Sequence, residues 1–179
     1  MRALVLTVSD RSARGERADA TGPAVAERLR AQGHDAVVEV IEDDALRIAE
    51  VVTAALGDRE LVVLAGGTGL GPRDVTPQAV QTILDYEIPG FGELMRAEGR
   101  RSTPLAALSR SLAGVAGRTL VLVVPGSPRG AVESLDAVAP LLPHALDTLA
   151  GGDHEAPAGA DRRMPAARPD RETTGERQR

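Results

Sequence analysis

The sequence predicts an α/β fold: a three-layer sandwich with a mostly parallel sheet and helices on both faces. Three observations lead to the α/β class. Four apolar runs, ALVLTV (3–8), AVVEVI (36–41), LVVLA (61–65) and TLVLVV (119–124), have the length and apolarity of strands buried in a sheet. Segments with helical spacing separate them, and strand–helix alternation marks parallel crossover units. Each run also ends in a polar or Gly/Pro segment, and in such folds ligands lie beyond the carboxyl ends of the strands.

The elements follow in order. After the first strand, residues 9–20 are polar and read as loop. Thr21, Gly22 and Pro23 mark a helix start, with Thr as cap and Pro in the first turn. Val25 and Leu29 give that helix a buried face at i, i+4, and Gly33 ends it. Beyond the second strand, Leu46, Ala49, Val52 and Leu56 share one face of a helix over 44–56. The third strand runs into GGTGLGPRDVTP, residues 66–77. Thr76 and Pro77 repeat the cap-and-proline start, and Val80, Ile83 and Leu84 supply the core face that follows. IPGFGELMR (88–96) is a Pro/Gly corner leading into another helix, whereas 105–116 fits either a helix or a short strand. After the fourth strand, PGSP (125–128) turns the chain, and one or two helices over 129–149 close the domain. Residues 151–179 contain no Val, Ile, Leu or aromatic residue and balance six acidic against six basic side chains. Such a segment buries no face, so a disordered charged tail is expected there and a folded domain over 1–150.

Composition removes whole classes of function. Tyr86 and Phe91 are the only aromatics, so the core is aliphatic and a base-stacking platform is excluded. A net charge of −5 repels nucleic acid, and a phosphate-bearing ligand would need a metal cation or a local arginine cluster to offset it. No cysteine is present, which excludes disulfides, thiolate metal sites and cysteine nucleophiles and fits a reducing cytoplasm. All 21 basic residues are arginine, so there is neither a Schiff-base lysine nor a lysine-type phosphate loop. The N-terminus lacks a signal-peptide pattern and no apolar run approaches the ~18 residues of a membrane span. The expected location is cytoplasmic, with neither nucleic acid nor membrane as partner.

The chemistry concentrates at the strand exits. Gly66, Gly67 and Gly69 let backbone amides approach an anion, Thr68 adds a hydroxyl, and a helix start follows. The alternative is a tight ligand-free turn. Neither register of this loop satisfies G-x-G-x-x-G: from Gly67 the sixth position is Pro72, and from Gly66 the third is Thr68. Hydride transfer is therefore disfavoured. Arg73 is a candidate phosphate contact and Asp74 a candidate metal ligand or a turn residue. Asp10 and Asp43 each follow a strand; alone each reads as a turn or cap, but carboxylates converging at strand exits beside phosphates suit Mg²⁺. Ser109-Arg110 offers a hydroxyl and a guanidinium for an anion, or is a surface pair. Ser127 sits in Pro125-Gly126-Ser127-Pro128, which is a turn and not a nucleophile elbow. His34, His144 and His154 show no metal spacing, and Phe91 with Met95 reads as core or subunit contact.

TVSDR (7–11), the segment Asp19–Gly22, GGTG-x-x-x-RDVTP (66–77), PGFGELMR (89–96), LSR (108–110) and PGSP (125–128) occur together and in this order. Over roughly residues 1–150 they resemble the molybdenum-cofactor biosynthesis proteins of the Mog/MoaB type, the molybdopterin adenylyltransferase family, which implies a three-layer α/β fold of the molybdopterin-binding-like kind. The resemblance implies a Mg²⁺-dependent transfer of AMP from ATP to the terminal phosphate of molybdopterin, with release of pyrophosphate. It implies Asp43 and Asp74 as the essential and metal-organising carboxylates. Ser9, Asp10, Gly66, Gly67, Thr68, Gly69, Arg73, Ser109, Arg110, Pro125, Gly126 and Ser127 become substrate- or nucleotide-binding positions. It further implies a homotrimer, with hexamers in some relatives, and hand-over of product to a molybdate-inserting enzyme. A non-catalytic molybdopterin carrier or a trimeric scaffold of the same pathway is the alternative. Relatives often carry Pro-Asp where this chain has Glu42-Asp43, which leaves Asp43 and Asp44 both open, and Gln78 stands where Glu is common.

Overall fold

The computed structural model describes residues 1–152. The tail expected over 151–179 lies outside the described residues, apart from Gly151 and Gly152.

Among the described residues, six strands form one sheet: β1 (Arg2–Val8), β2 (Asp35–Ile41), β3 (Leu61–Ala65), β4 (Tyr86–Glu87), β5 (Leu112–Ala116) and β6 (Thr119–Val124), in the order β2-β1-β3-β6-β5-β4. β2, β1, β3 and β6 are parallel; β5 runs antiparallel to both β6 and β4. The helices are α1 (Asp10–Ala13), α2 (Thr21–Ala31), α3 (Ala45–Ala55), α4 (Thr76–Gln81), α5 (Pro89–Ser102), α6 (Pro128–Val138) and α7 (Leu142–Leu149). Short 3₁₀ segments cover Pro104–Leu108 and Ala139–Leu141.

Strand alternation divides the core. Ala3, Val5, Leu61, Val63, Leu120 and Leu122 face α2, α5, α6 and α7, while Leu4, Leu6, Val62, Leu64, Val121 and Val123 face α3 and α4. Both faces are therefore covered, as an almost all-parallel sheet requires. Phe91 and Met95 belong to the first cluster and are core residues.

The four predicted strands form, β3 and β6 with the predicted bounds. The sequence reading omits β4 and leaves β5 inside 105–116, which fits either a helix or a short strand. LAGVA has weak strand propensity on its own; it becomes a strand because Gly117 (φ 59°) closes a tight hairpin onto β6. A Cβ on Gly114 would sit 2.7 Å from the Tyr86 carbonyl oxygen, so only glycine lets β4 pair there. The ambiguous 105–116 stretch is thus a 3₁₀ turn followed by a strand. Residues 9–20 contain the short α1 as well as loop.

Both predicted threonine caps are corrected. Asp19, not Thr21, caps α2: its Oδ1 accepts from the N–H groups of Thr21 and Gly22 at 2.9 and 3.1 Å. Thr21 is already the first residue of the helix, and its side chain donates to the Gly126 carbonyl. Thr76 makes no cap bond either; its hydroxyl is fully buried without a partner and faces Gly67. α4 stops at Gln81, so Ile83 and Leu84 pack on the core from the turn beyond it.

The chain leaves β1 for the sheet edge at β2 and returns past β1 to β3. The crevice between the carboxyl ends of β1 and β3 is the topological switch point, the usual ligand position in such sheets.

Candidate functional site

At this crevice the backbone forces the sequence. Gly66 has φ 126° and Gly67 φ 60°, the left-handed region. A Cβ on Gly66 would overlap the Val8 carbonyl oxygen, and one on Gly67 the Thr76 hydroxyl. The third strand can therefore turn this close to β1 only through two glycines.

The loop that follows braces itself. The Asp74 Oδ2 accepts from the Gly71 N–H at 2.8 Å, and the Asp74 N–H donates back to the Gly71 carbonyl at 3.0 Å. Gly69 and Gly71 leave room for this carboxylate; a Cβ on either would lie 2.8 Å from it. The Gly66 N–H is engaged by the Val124 carbonyl. Among the described residues, the N–H groups of Gly67, Thr68, Gly69 and Leu70 have no partner. Four amides remain for an anion, not the whole run from Gly66 to Gly71.

Asp10 and Asp43, 33 residues apart in sequence, clasp the exits of β1 and β2. The Asp10 N–H donates to Asp43 Oδ2 at 2.8 Å, and the Asp43 N–H donates to Asp10 Oδ1 at 3.1 Å. Arg73 reaches across from the glycine loop and donates to Asp10 Oδ2. Both Asp10 oxygens are thereby engaged. Among the described residues, Asp43 and Asp74 each keep one carboxylate oxygen, Oδ1, without a hydrogen-bond partner. The three aspartates thus converge on one edge.

Their electrostatics differ. Burial opposes ionisation of Asp10, but the Asp43 N–H and the Arg73 guanidinium outweigh it and hold its carboxyl below the usual value. Burial pushes Asp43 up; the carboxylates of Asp10 and Asp74 push the same way, against the Asp10 N–H and Arg73. Negative charge thus exceeds what Arg73 neutralises. Among the described residues no group of three His, Cys, Asp or Glu side chains could hold a metal. Two carboxylates with a free oxygen each nevertheless fit Mg²⁺, which is commonly held by one or two carboxylates together with substrate phosphates. Asp44 is exposed and caps α3, its Oδ1 accepting from the Arg47 N–H at 2.8 Å. Asp43, not Asp44, faces the site.

The remaining predicted residues divide. Ser9 caps α1 and Ser127 caps α6. Pro125 and Ser127, with Thr68, Gly69 and Ser109, line a cavity of about 430 Å³ between the glycine loop, α5 and α6. Its walls are mostly apolar: Met95, Leu70, Leu105, Ala106 and Leu108. Leu70 and Leu105 are 69% exposed and Leu108 55%, an apolar rim open to solvent. Glu133 closes one end, accepting from Ser102 and Arg129, both at 2.7 Å. Arg110 turns inward to the loop's own carbonyls.

Sequence reasoning misses the roles of Asp19, which holds the start of α2, and of Thr21, which donates to the Gly126 carbonyl, as well as the leucine rim. Asp19–Gly22 is visible as a motif but carries no chemistry on sequence grounds. The leucines fall in segments without helical or strand periodicity, and that is the only signal they offer.

Comparison with known proteins accords with this geometry. Residues 4–144 match the family model described as "Probable molybdopterin binding domain". The chain is 35% identical over 152 residues to a Helicobacter pylori protein named molybdopterin adenylyltransferase, covering 82% of this chain and 86% of that protein. It is 39% identical over 154 residues to the molybdenum cofactor biosynthesis bifunctional protein of Synechococcus elongatus, covering 85% of this chain but only 48% of that relative, about half its length. The crystal structure of the molybdopterin biosynthesis enzyme MoaB from Thermus thermophilus superposes with a TM-score of 0.77 at 50% identity, over 84% of this chain and 96% of that one. No helix among the described residues is long and apolar enough to cross a membrane. From the family match, the sheet order and the braced glycine loop together, the chain belongs to the molybdopterin-binding domain family of molybdenum-cofactor biosynthesis proteins.

Proposed function

We propose that this protein is a molybdopterin adenylyltransferase, which moves AMP from ATP to the terminal phosphate of molybdopterin. One observation carries the reading: the free oxygens of Asp43 and Asp74 share an edge with four unpartnered loop amides, beside a mostly apolar cavity. The cavity suits a flat heterocycle and the edge suits phosphates. The name of the Helicobacter pylori relative supports the same activity.

In the reaction, an oxygen of the terminal phosphate monoester attacks the α-phosphorus of ATP. The bond from that phosphorus to the bridging oxygen breaks, and pyrophosphate leaves with the electron pair. A phosphate monoester has a second pKa of about 6 and is mostly ionised at neutral pH, so no general base is needed. The protein must instead hold two polyanions in line. The amides of Gly67–Leu70 serve as fixed donors to phosphate oxygens. Mg²⁺ would be held by Asp43 and Asp74 with substrate phosphates, and would supply charge neutralisation for the departing pyrophosphate. Arg73 adds local positive charge, and Asp10 keeps it in place.

Incubation with ATP, Mg²⁺ and molybdopterin, with assay of pyrophosphate and adenylylated pterin, tests the reading. Stoichiometric appearance of both is expected. Tight pterin binding without either product would assign the chain to the carrier alternative. We also infer assembly as a trimer, as the family resemblance implies; a monomeric mass by light scattering would refute it. The nucleotide preference and any hand-over to a molybdate-inserting enzyme are inferred from the same resemblance.

A further inference from the structure

Arg110, a candidate anion contact on sequence grounds, directs its bonds elsewhere. The Arg110 N–H donates to the Thr68 carbonyl at 3.0 Å, its Nε donates to the Gly69 carbonyl at 2.8 Å, and its Nη2 donates to the Asp74 carbonyl. One residue therefore anchors the glycine loop at three points. Two of those points, Thr68 and Gly69, lie within the run of amides without partners, and the third is Asp74 itself.

Nothing else in sequence is near: Gly69 lies 41 residues away and Asp74 lies 36. A guanidinium is suited to this task because its planar fork holds two acceptors at once at fixed spacing. An ammonium is a single point charge on a flexible stem and does not fix two carbonyls together. The side chain is half-buried, so these bonds are shielded from solvent competition.

The neighbours of Arg110 give the contact a direction. Ser109 and Ser111 line the apolar cavity and their hydroxyls meet at 2.8 Å. The Ser111 carbonyl accepts from Arg96 of α5 at 2.7 Å, so the turn is fixed to the cavity wall on its far side. Arg110 is the covalent continuation of that wall into the loop. A shift of the wall is transmitted to the Gly69 and Asp74 carbonyls through one rigid group.

We propose that Arg110 is a positioning residue, fixing the loop from Thr68 to Asp74 relative to the apolar cavity without itself contacting substrate. The proposal rests on the adenylyl-transfer reading for its consequence in turnover, but not for its consequence in the loop.

The test uses the full chain with Arg110→Lys and Arg110→Gln. Amide hydrogen exchange is followed in the ligand-free protein over residues 66–75, with steady-state kinetics and thermal unfolding alongside. The Gly71 and Asp74 amides, protected in the loop by their mutual bonds, should exchange at least about tenfold faster in both variants, while β1, β3 and β6 keep their protection. kcat should fall by up to about a hundredfold in both, with KM for ATP changed by less than about threefold. The lysine variant is the decisive one, because it keeps the charge and loses the fork. Wild-type kcat in Arg110→Lys, together with a salt-dependent rise of KM in Arg110→Gln, would assign a direct anion contact and overturn the proposal. Unchanged exchange over 66–75 in both variants would also overturn it, whether or not the protein turns over. Faster loop exchange in a protein whose wild type makes no product would support the positioning role and sink the adenylyl-transfer reading instead.

Discussion

Two sides of the same glycine loop are built by opposite physics. On the β1–β2 side, three carboxylates are held by hydrogen bonds, Asp10 to Asp43 and Arg73 and Asp74 to Gly71, which leave Oδ1 of Asp43 and Oδ1 of Asp74 without a partner among the described residues. On the α5–α6 side lies a cavity walled by Met95, Ala106 and an exposed leucine rim, its surface mostly apolar although Ser109, Ser127 and Glu133 also line it. The first side is polar, and burial, with the carboxylates of Asp10 and Asp74 acting the same way, pushes Asp43 up. The second is apolar and open. An electrostatic site demands fixed dipoles, since their value lies in not reorganising when charge moves. An apolar one needs only area and shape. On the proposed function, that difference would give phosphate chemistry to one side and heterocycle binding to the other.

Substitutions that preserve shape but change charge should break that division most sharply. Asp74→Asn keeps an oxygen to accept from Gly71 and removes the charge. We expect a loss of about 10²–10³ in kcat, the size of effect seen when a transition-state stabiliser is removed, with pterin affinity retained. Equal loss of kcat and pterin binding would show that the two sides are not separate. Gly66→Ala attacks the hinge between them. Left-handed φ plus overlap with the Val8 carbonyl should cost on the order of 3 kcal/mol, read as a lower urea midpoint at unchanged m.

Asp43 and Asp44 sharpen the comparison at smaller scale. Asp44→Ala removes the α3 cap and should cost about 1 kcal/mol while turnover persists. Asp43→Asn should do the reverse: turnover falls and stability does not. The folded-state pKa of Asp43 is raised, so the native state holds this proton more tightly than the unfolded chain. Wild-type stability from this group is therefore present at low pH and lost as pH rises through the raised value. The Asn variant lacks that loss, so its stability relative to wild type should rise with pH across this window. A difference that stays constant in denaturant titrations from about pH 3 to about pH 7 would overturn this. On the apolar side, Leu105→Ser removes an exposed rim leucine. It should change stability by less than about 0.5 kcal/mol and weaken pterin binding severalfold with ATP KM unchanged. A matching rise in ATP KM would place the nucleotide in the cavity.

Much of this is legible before any coordinates. LVVLA and TLVLVV read as strands because a continuous run of aliphatic residues has few other uses at that length. The motifs at the strand exits point to the crevice and nominate Asp10, Asp43 and Asp74 there. β5 is not legible, because Gly114 and two alanines have no strand signal until β6 offers a partner. Thr21 looks like a cap and is not, because the helix already begins at Thr21, Asp19 accepts from its first two amides, and the Thr21 hydroxyl donates to the Gly126 carbonyl. The leucines of the cavity rim are not legible either, since exposure has no sequence signature.

The sequence by itself determined the aliphatic core, the alternation of strand and helix, and the residue types at each strand exit. Those properties depend on neighbours a few positions apart, and periodicity records them. Only the tertiary structure decided which oxygen of each carboxylate is left free, that Asp44 caps a helix while Asp43 faces the crevice, and that Arg110 grips the loop. The Asp74–Gly71 and Asp44–Arg47 bonds are local, whereas the Asp10–Asp43 clasp, its Arg73 contact and the Arg110 grip span 33 to 63 residues. Such contacts exist only once the sheet order brings β1, β2 and β3 side by side.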